Sequence, residues 1–144
     1  MTNYPIENLG EDYDDGTMPD SLDALTAGVI GRKIVSAERG TVASNGNYYQ
    51  DPHGLILTLD DGRKVSLAGG SDCCAYTELE AFLLHPELVD HVITGVGTTD
   101  GFTKWHIFAD MGDVLELTVG WSCGNPFYYS YGFNIAVTDV AAEV

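Results

Sequence analysis

The sequence predicts a single α+β domain: an antiparallel sheet of six or seven strands with one central helix packed on it. Three observations predict it. The chain has 144 residues, 44% of them apolar, which is enough for one core and too few for two comfortable ones. Short β-branched or alternating runs recur from residue 28 onward, separated by Gly, Asp and Asn turn formers. One longer stretch, SDCCAYTELEAFLLHPELVDH (71–91), interrupts them with apolar residues at helical spacing. A partly closed barrel is the alternative arrangement of the strands.

In chain order, residues 1–25 read as a flexible acidic tail ahead of a domain over 26–140. The tail carries Glu7, Glu11, Asp12, Asp14, Asp15, Asp20 and Asp23 and no base. GVIGRKIVSAE (28–38) predicts the first strand, and TVASNGNYYQDPHG (41–54) a loop. LILTLDDGRKVSL (55–67) predicts a hairpin turning at Asp61-Gly62. Leu55, Leu57 and Leu59 share one face of it, with Val65 and Leu67 as their partners. Ser71 or Asp72 then caps the helix, and Leu79, Phe82 and Leu83 form its apolar stripe. Pro86 ends it and opens a second short helix, with His85 at the joint. HVITGVG (91–97), FTKWHIFAD (102–110) and DVLELTVGW (113–121) predict a meander, and NPFYYSYGFNIAVTDV (125–140) a last, aromatic strand.

Composition excludes some functions. Twenty-two acidic and six basic side chains give a net charge of −16. Phosphate contacts need Lys and Arg, so direct nucleic-acid binding is not expected, nor is an anionic membrane surface. No stretch approaches the roughly 18 apolar residues of a membrane span. The opening MTNYPIENLGEDYDD lacks the basic and apolar regions of a secretory signal, so the expected location is cytoplasmic. There is no phosphate loop and no G-x-S-x-G, because GVGTTDG (95–101) lacks both a Lys and a strand-to-helix setting. No catalytic residue or cofactor is therefore assigned.

Two stretches hold candidate sites. Cys73 and Cys74 fall in the first turn of the expected helix, where the helix dipole favours a thiolate. With Cys123, His85 and His106 they could bind zinc, although no C-x-x-C or H-x-x-x-H spacing supports it. The plainer reading is that the cysteines are small packed side chains. GWSCGNPFYYSYGF (120–133) supplies the second candidate, a binding surface of Trp121, Asn125, Tyr128, Tyr129 and Tyr131. Tyrosine suits an interface, having an apolar ring and a polar tip, but an aromatic core strand would also account for the run.

DCCAYTELEAF and GWSCGNPFYY, with GRKIVSAE ahead of them, resemble a family of small proteins of unknown function found in actinobacteriophages and actinobacteria. The resemblance spans about residues 32 to 137 and omits the acidic leader. It implies a phage or actinobacterial origin and a cytoplasmic setting, and brings no activity with it. The expected function is a non-enzymatic acidic interaction protein that binds and modulates a host protein, one with a basic surface. The alternatives are a nucleotide-type small-ligand binder relying on Arg32, Lys33, Arg39, Arg63, Lys64 and Lys104, and a zinc- or thiol-dependent protein using Cys73, Cys74 and Cys123.

Overall fold

The computed structural model describes residues 4–7, 9, 14, 16–42, 50–72, 74–124 and 131–138. Along the chain run helix α1 (Thr17–Val29) and strands β1 (Ile34–Thr41), β2 (His53–Leu59), β3 (Lys64–Ala68), β4 (Gly70–Ser71) and β5 (Tyr76–Leu84). After a 3-10 turn at Pro86–Leu88 come β6 (Gly95–Thr99), β7 (Lys104–Ala109), β8 (Gly112–Ser122) and β9 (Asn134–Thr138). The strands form two antiparallel sheets, ordered β1-β2-β3-β9 and β4-β5-β8-β7-β6. The α+β class holds, but there are two sheets in place of one, and they do not close into a barrel.

The helix is not where sequence periodicity puts it. Residues 76–84 are strand β5, paired with β8 along its length. The cause is a bulge: Leu79 pairs with Val119 and Ala81 with Thr118, leaving Glu80 as an extra residue. Leu79, Phe82 and Leu84 consequently pack on the core, at intervals of three and two. An i, i+3 interval made by a bulge reads as helical, and helix-forming Glu, Ala and Leu strengthen the illusion. Leu83, expected in the apolar stripe, is exposed. Pro86 does open a short helical turn, with His85 in extended conformation just before it.

Among the described residues the α-helix starts in the segment read as leader, so the expected boundary between residues 25 and 26 falls inside α1. Met18, Leu22, Leu25 and Val29, at i, i+4, i+7 and i+11, turn one apolar face to the core. Gly16 precedes the first turn at φ 103° and offers no capping side chain. Asp14 Oδ1 does that work by accepting from the Met18 amide (3.2 Å) and the Tyr131 hydroxyl (2.7 Å).

The β2–β3 hairpin forms as its sequence requires. Leu55 pairs with Leu67 and Leu57 with Val65, and Gly62 adopts φ 89° in the turn. Arg32 Nε donates to Asp60 Oδ1 (2.9 Å), and Arg63 Nε to Asp61 Oδ2 (2.7 Å). Leu55, Leu57, Leu59, Val65 and Leu67 join Trp105, Ile107, Leu115, Leu117 and Val119 of the second sheet in one hydrophobic cluster with α1. Phe133 meets the Trp105 ring edge-on at 5.5 Å and closes one part of it.

Candidate functional site

The outer face of the five-stranded sheet carries most of the clustered polar chemistry. Strand pairing sets it: His106 of β7 lies opposite Glu116 of β8 and Gly97 of β6. Paired residues in an antiparallel sheet share a face. Gly97 leaves room for Tyr4, because a Cβ there would come within 2.5 Å of the tyrosine Cβ. Gly95 does the same for the Phe108 ring. Tyr4 therefore lies on the sheet and stacks on the His106 imidazole, with ring centroids 4.1 Å apart.

The N-terminal segment is tied down again at the β6–β7 turn. Asp100, Gly101 and Phe102 all have positive φ, at 58°, 68° and 61°. Left-handed Asp and Phe are costly, so the turn must be held by its contacts. Glu7 accepts from the Gly101 amide (2.8 Å) and the Phe102 amide (3.0 Å). Trp121 Nε1 donates to Gly101 O (2.8 Å), and Trp105 Nε1 to Phe102 O (2.9 Å).

Around His106 the groups form a connected set. Its Nδ1 is 2.8 Å from Asp113 Oδ2, and its Nε2 is 2.9 Å from Thr99 Oγ1. Tyr4 OH donates to Asp113 Oδ1 (2.7 Å). Burial, then this bond, pushes the phenol pKa well above its usual value. His85 Nε2 lies 2.5 Å from Glu116 Oε2, and that bond raises the imidazole pKa despite some opposing desolvation. Beside the set opens a cleft of about 460 Å3, lined in part by Thr99, Lys104, His106 and Glu116.

A second, larger cleft of about 950 Å3 lies where the two sheets meet. A bridge between Gln50 and Gly70 and a hydrogen bond from the Asp51 amide to Gly69 O (2.9 Å) join the sheets there. Gly69 has no room for a side chain, since a Cβ would collide with Thr77 O. Asp51, Asp72, Cys74, Tyr76 and Glu78 are among the lining residues. Tyr76 is 41% exposed. Among the described bases, Lys104 alone lines either cleft.

The residues singled out from sequence are divided among these places. Cys74 is exposed in the turn between β4 and β5, where the Asp72 amide donates to Ala75 O (2.8 Å). It is not at a helix N-terminus, so no helix dipole acts on it. Cys73 lies outside the described residues. Cys123 follows β8 directly and is half-buried. The six residue-to-residue steps from Glu116 to Ser122 span roughly 20 Å of strand. Cys123 is thus far from the groups around His85 and His106, which both reach the Glu116 neighbourhood. Trp121 and Tyr131 stack on each other at 5.6 Å and pack against the core. Asn125, Tyr128 and Tyr129 lie outside the described residues.

Sequence reasoning passed over Tyr4, Asp113 and Glu116. Counted outward from the Ala109–Gly112 pair, His106 would face Leu115; a register shift between Ile107 and Phe108 sets it opposite Glu116 instead, so no local pattern announced the pair.

The described residues form a two-sheet α+β domain with helix α1 and polar clefts on and beside its five-stranded sheet. Residues 27–135 match the model of a domain of unknown function, DUF7448, and the chain belongs to that family. No curated protein and no solved structure matches it.

Proposed function

We propose that this is a non-enzymatic, phage-encoded interaction protein that binds a basic segment of a host protein in the cleft between the sheets. The carrying observation is the composition of that cleft. Asp51, Asp72 and Glu78 line about 950 Å3 together with the exposed Tyr76, on a chain of net charge −16. Carboxylates complement Lys and Arg side chains, and a tyrosine face adds cation–π attraction. The surrounding negative field draws a basic partner in and repels nucleic acid and anionic lipid. Binding would take place in the host cytoplasm.

The test compares the wild-type chain with an Asp51→Asn, Asp72→Asn, Glu78→Gln variant as bait in actinobacterial lysate. The wild type should retain a discrete basic protein at about 50 mM salt and release it near 0.5 M, as expected for screened charge pairs. The variant should hold the same protein at least about tenfold more weakly, the loss expected when desolvated charge pairs are truncated. Absence of a partner at low salt, or equal capture by the variant, overturns the proposal.

A further inference from the structure

We infer that His106, Asp113 and Glu116 form a binding site for a divalent cation of the Mn2+ or Zn2+ class, on the outer face of the five-stranded sheet.

One nitrogen of His106 and one carboxylate oxygen from each acid all lie within 4.8 Å of one another. Donors around one such ion sit about 2.0–2.2 Å from it, hence about 3.3–3.6 Å apart in a tetrahedral set, so side-chain rotations that move the donor atoms by about 1 Å close the site. All three residues come from adjacent strands of a hairpin, so their backbone positions are set by the β7–β8 ladder. His106 and Asp113 side chains are only 13% and 15% exposed, and Glu116 is 40% exposed. The ion would be sheltered on one side and open to the 460 Å3 cleft on the other.

What separates this cluster from a chance group of surface acids is how its remaining atoms are held. Thr99 Oγ1 takes the far nitrogen of His106, Tyr4 OH holds the far oxygen of Asp113, and His85 holds Glu116. Metal-binding side chains are commonly oriented by such outer contacts, including the second nitrogen of a ligating histidine. With Thr99 receiving the Nε2 hydrogen, Nδ1 is left to bind the ion. The cation would take the place of the hydrogen bond between His106 Nδ1 and Asp113 Oδ2, drawing on both of its heavy atoms. One imidazole and two carboxylates favour borderline and harder divalent ions over Cu(I), which prefers sulfur. Lys104, the base on this face, has its ammonium 3.2 Å from Thr118 Oγ1. The site stands apart from Asp51, Asp72 and Glu78, so it does not depend on the docking proposal.

The experiment titrates the full-length chain with Mn2+, followed by loss of the free-ion electron paramagnetic resonance signal. Mn2+ has little affinity for thiols, so the cysteines do not intrude. A parallel Zn2+ titration uses a Cys73→Ser, Cys74→Ser, Cys123→Ser background. Saturation at one equivalent is expected. His106→Gln should abolish it, Glu116→Gln should weaken it at least about tenfold, and Thr99→Val by about tenfold through loss of the outer contact. The Asp51→Asn, Asp72→Asn, Glu78→Gln variant should bind as the wild type does. If His106→Gln does not fold, the partly exposed Glu116→Gln decides the matter. No saturable uptake of either ion, or one equivalent kept at full affinity by Glu116→Gln and Asp113→Asn, overturns the inference.

Discussion

Two acids of the N-terminal segment are structural. Glu7 takes two amides of a strained turn, and Asp14 takes the amide that opens α1. A carboxylate accepts such bonds well because its charge strengthens them. In the sequence these residues are indistinguishable from solubilising charge, since their partners lie up to 117 residues away. Asp61 is local by contrast, bonding Arg63 within its own hairpin turn, while Asp60 reaches Arg32 and the Lys33 amide at the entry to β1. The Arg32 bond holds Asp60 below its ordinary carboxylate pKa, and the Arg63 amide does so for Asp61. A lowered folded pKa means the stabilisation is complete above the unfolded value near 3.8 and is lost as pH falls through the folded value. Urea midpoints should therefore drop more steeply below about pH 4 in the wild type than in Asp60→Asn, the pH being set by the ordinary Asp pKa. Parallel curves would show that the pair adds nothing.

At the scale of elements, β5 and α1 exchanged identities relative to the periodicity of the chain. One bulge at Glu80 turned a strand pattern into an apparent helical one. The true helix spacing, Met18-Leu22-Leu25-Val29, was visible but sat among seven acids, where charge suggested a tail. Burial separates the two readings of α1. Leu25 is fully buried, so Leu25→Ala should cost about 2–5 kcal/mol in denaturant unfolding. Ile6→Ala, at a residue 92% exposed, should stay within about 0.5 kcal/mol. A Leu25→Ala effect as small as that of Ile6→Ala would mean that α1 is detachable. The hairpins, in contrast, were legible, because turn residues and two-residue alternation are local and nothing distant overrode them.

For the whole molecule, net charge governs behaviour as much as fold does. At −16 the folded chain repels itself, and salt screens that repulsion. Raising NaCl from about 20 to 300 mM should increase the thermal midpoint, although it weakens the Arg32–Asp60 and Arg63–Asp61 pairs. A falling midpoint would show that those pairs outweigh the repulsion. Chain length, composition and alternation by themselves determined the class, the β2–β3 hairpin, the β6–β7–β8 meander and the acidic surface. Each of these depends on residues near one another in sequence or on a sum over all of them. Only the tertiary structure decided that the strands divide into two sheets and that the acidic leader contains the helix. It also drew His85, His106, Asp113, Glu116 and Tyr4 onto one face while leaving Cys74 and Cys123 elsewhere. Those outcomes follow from strand register, the bulges in the β5–β8 and β7–β8 pairings and contacts a hundred residues apart, which no local pattern encodes.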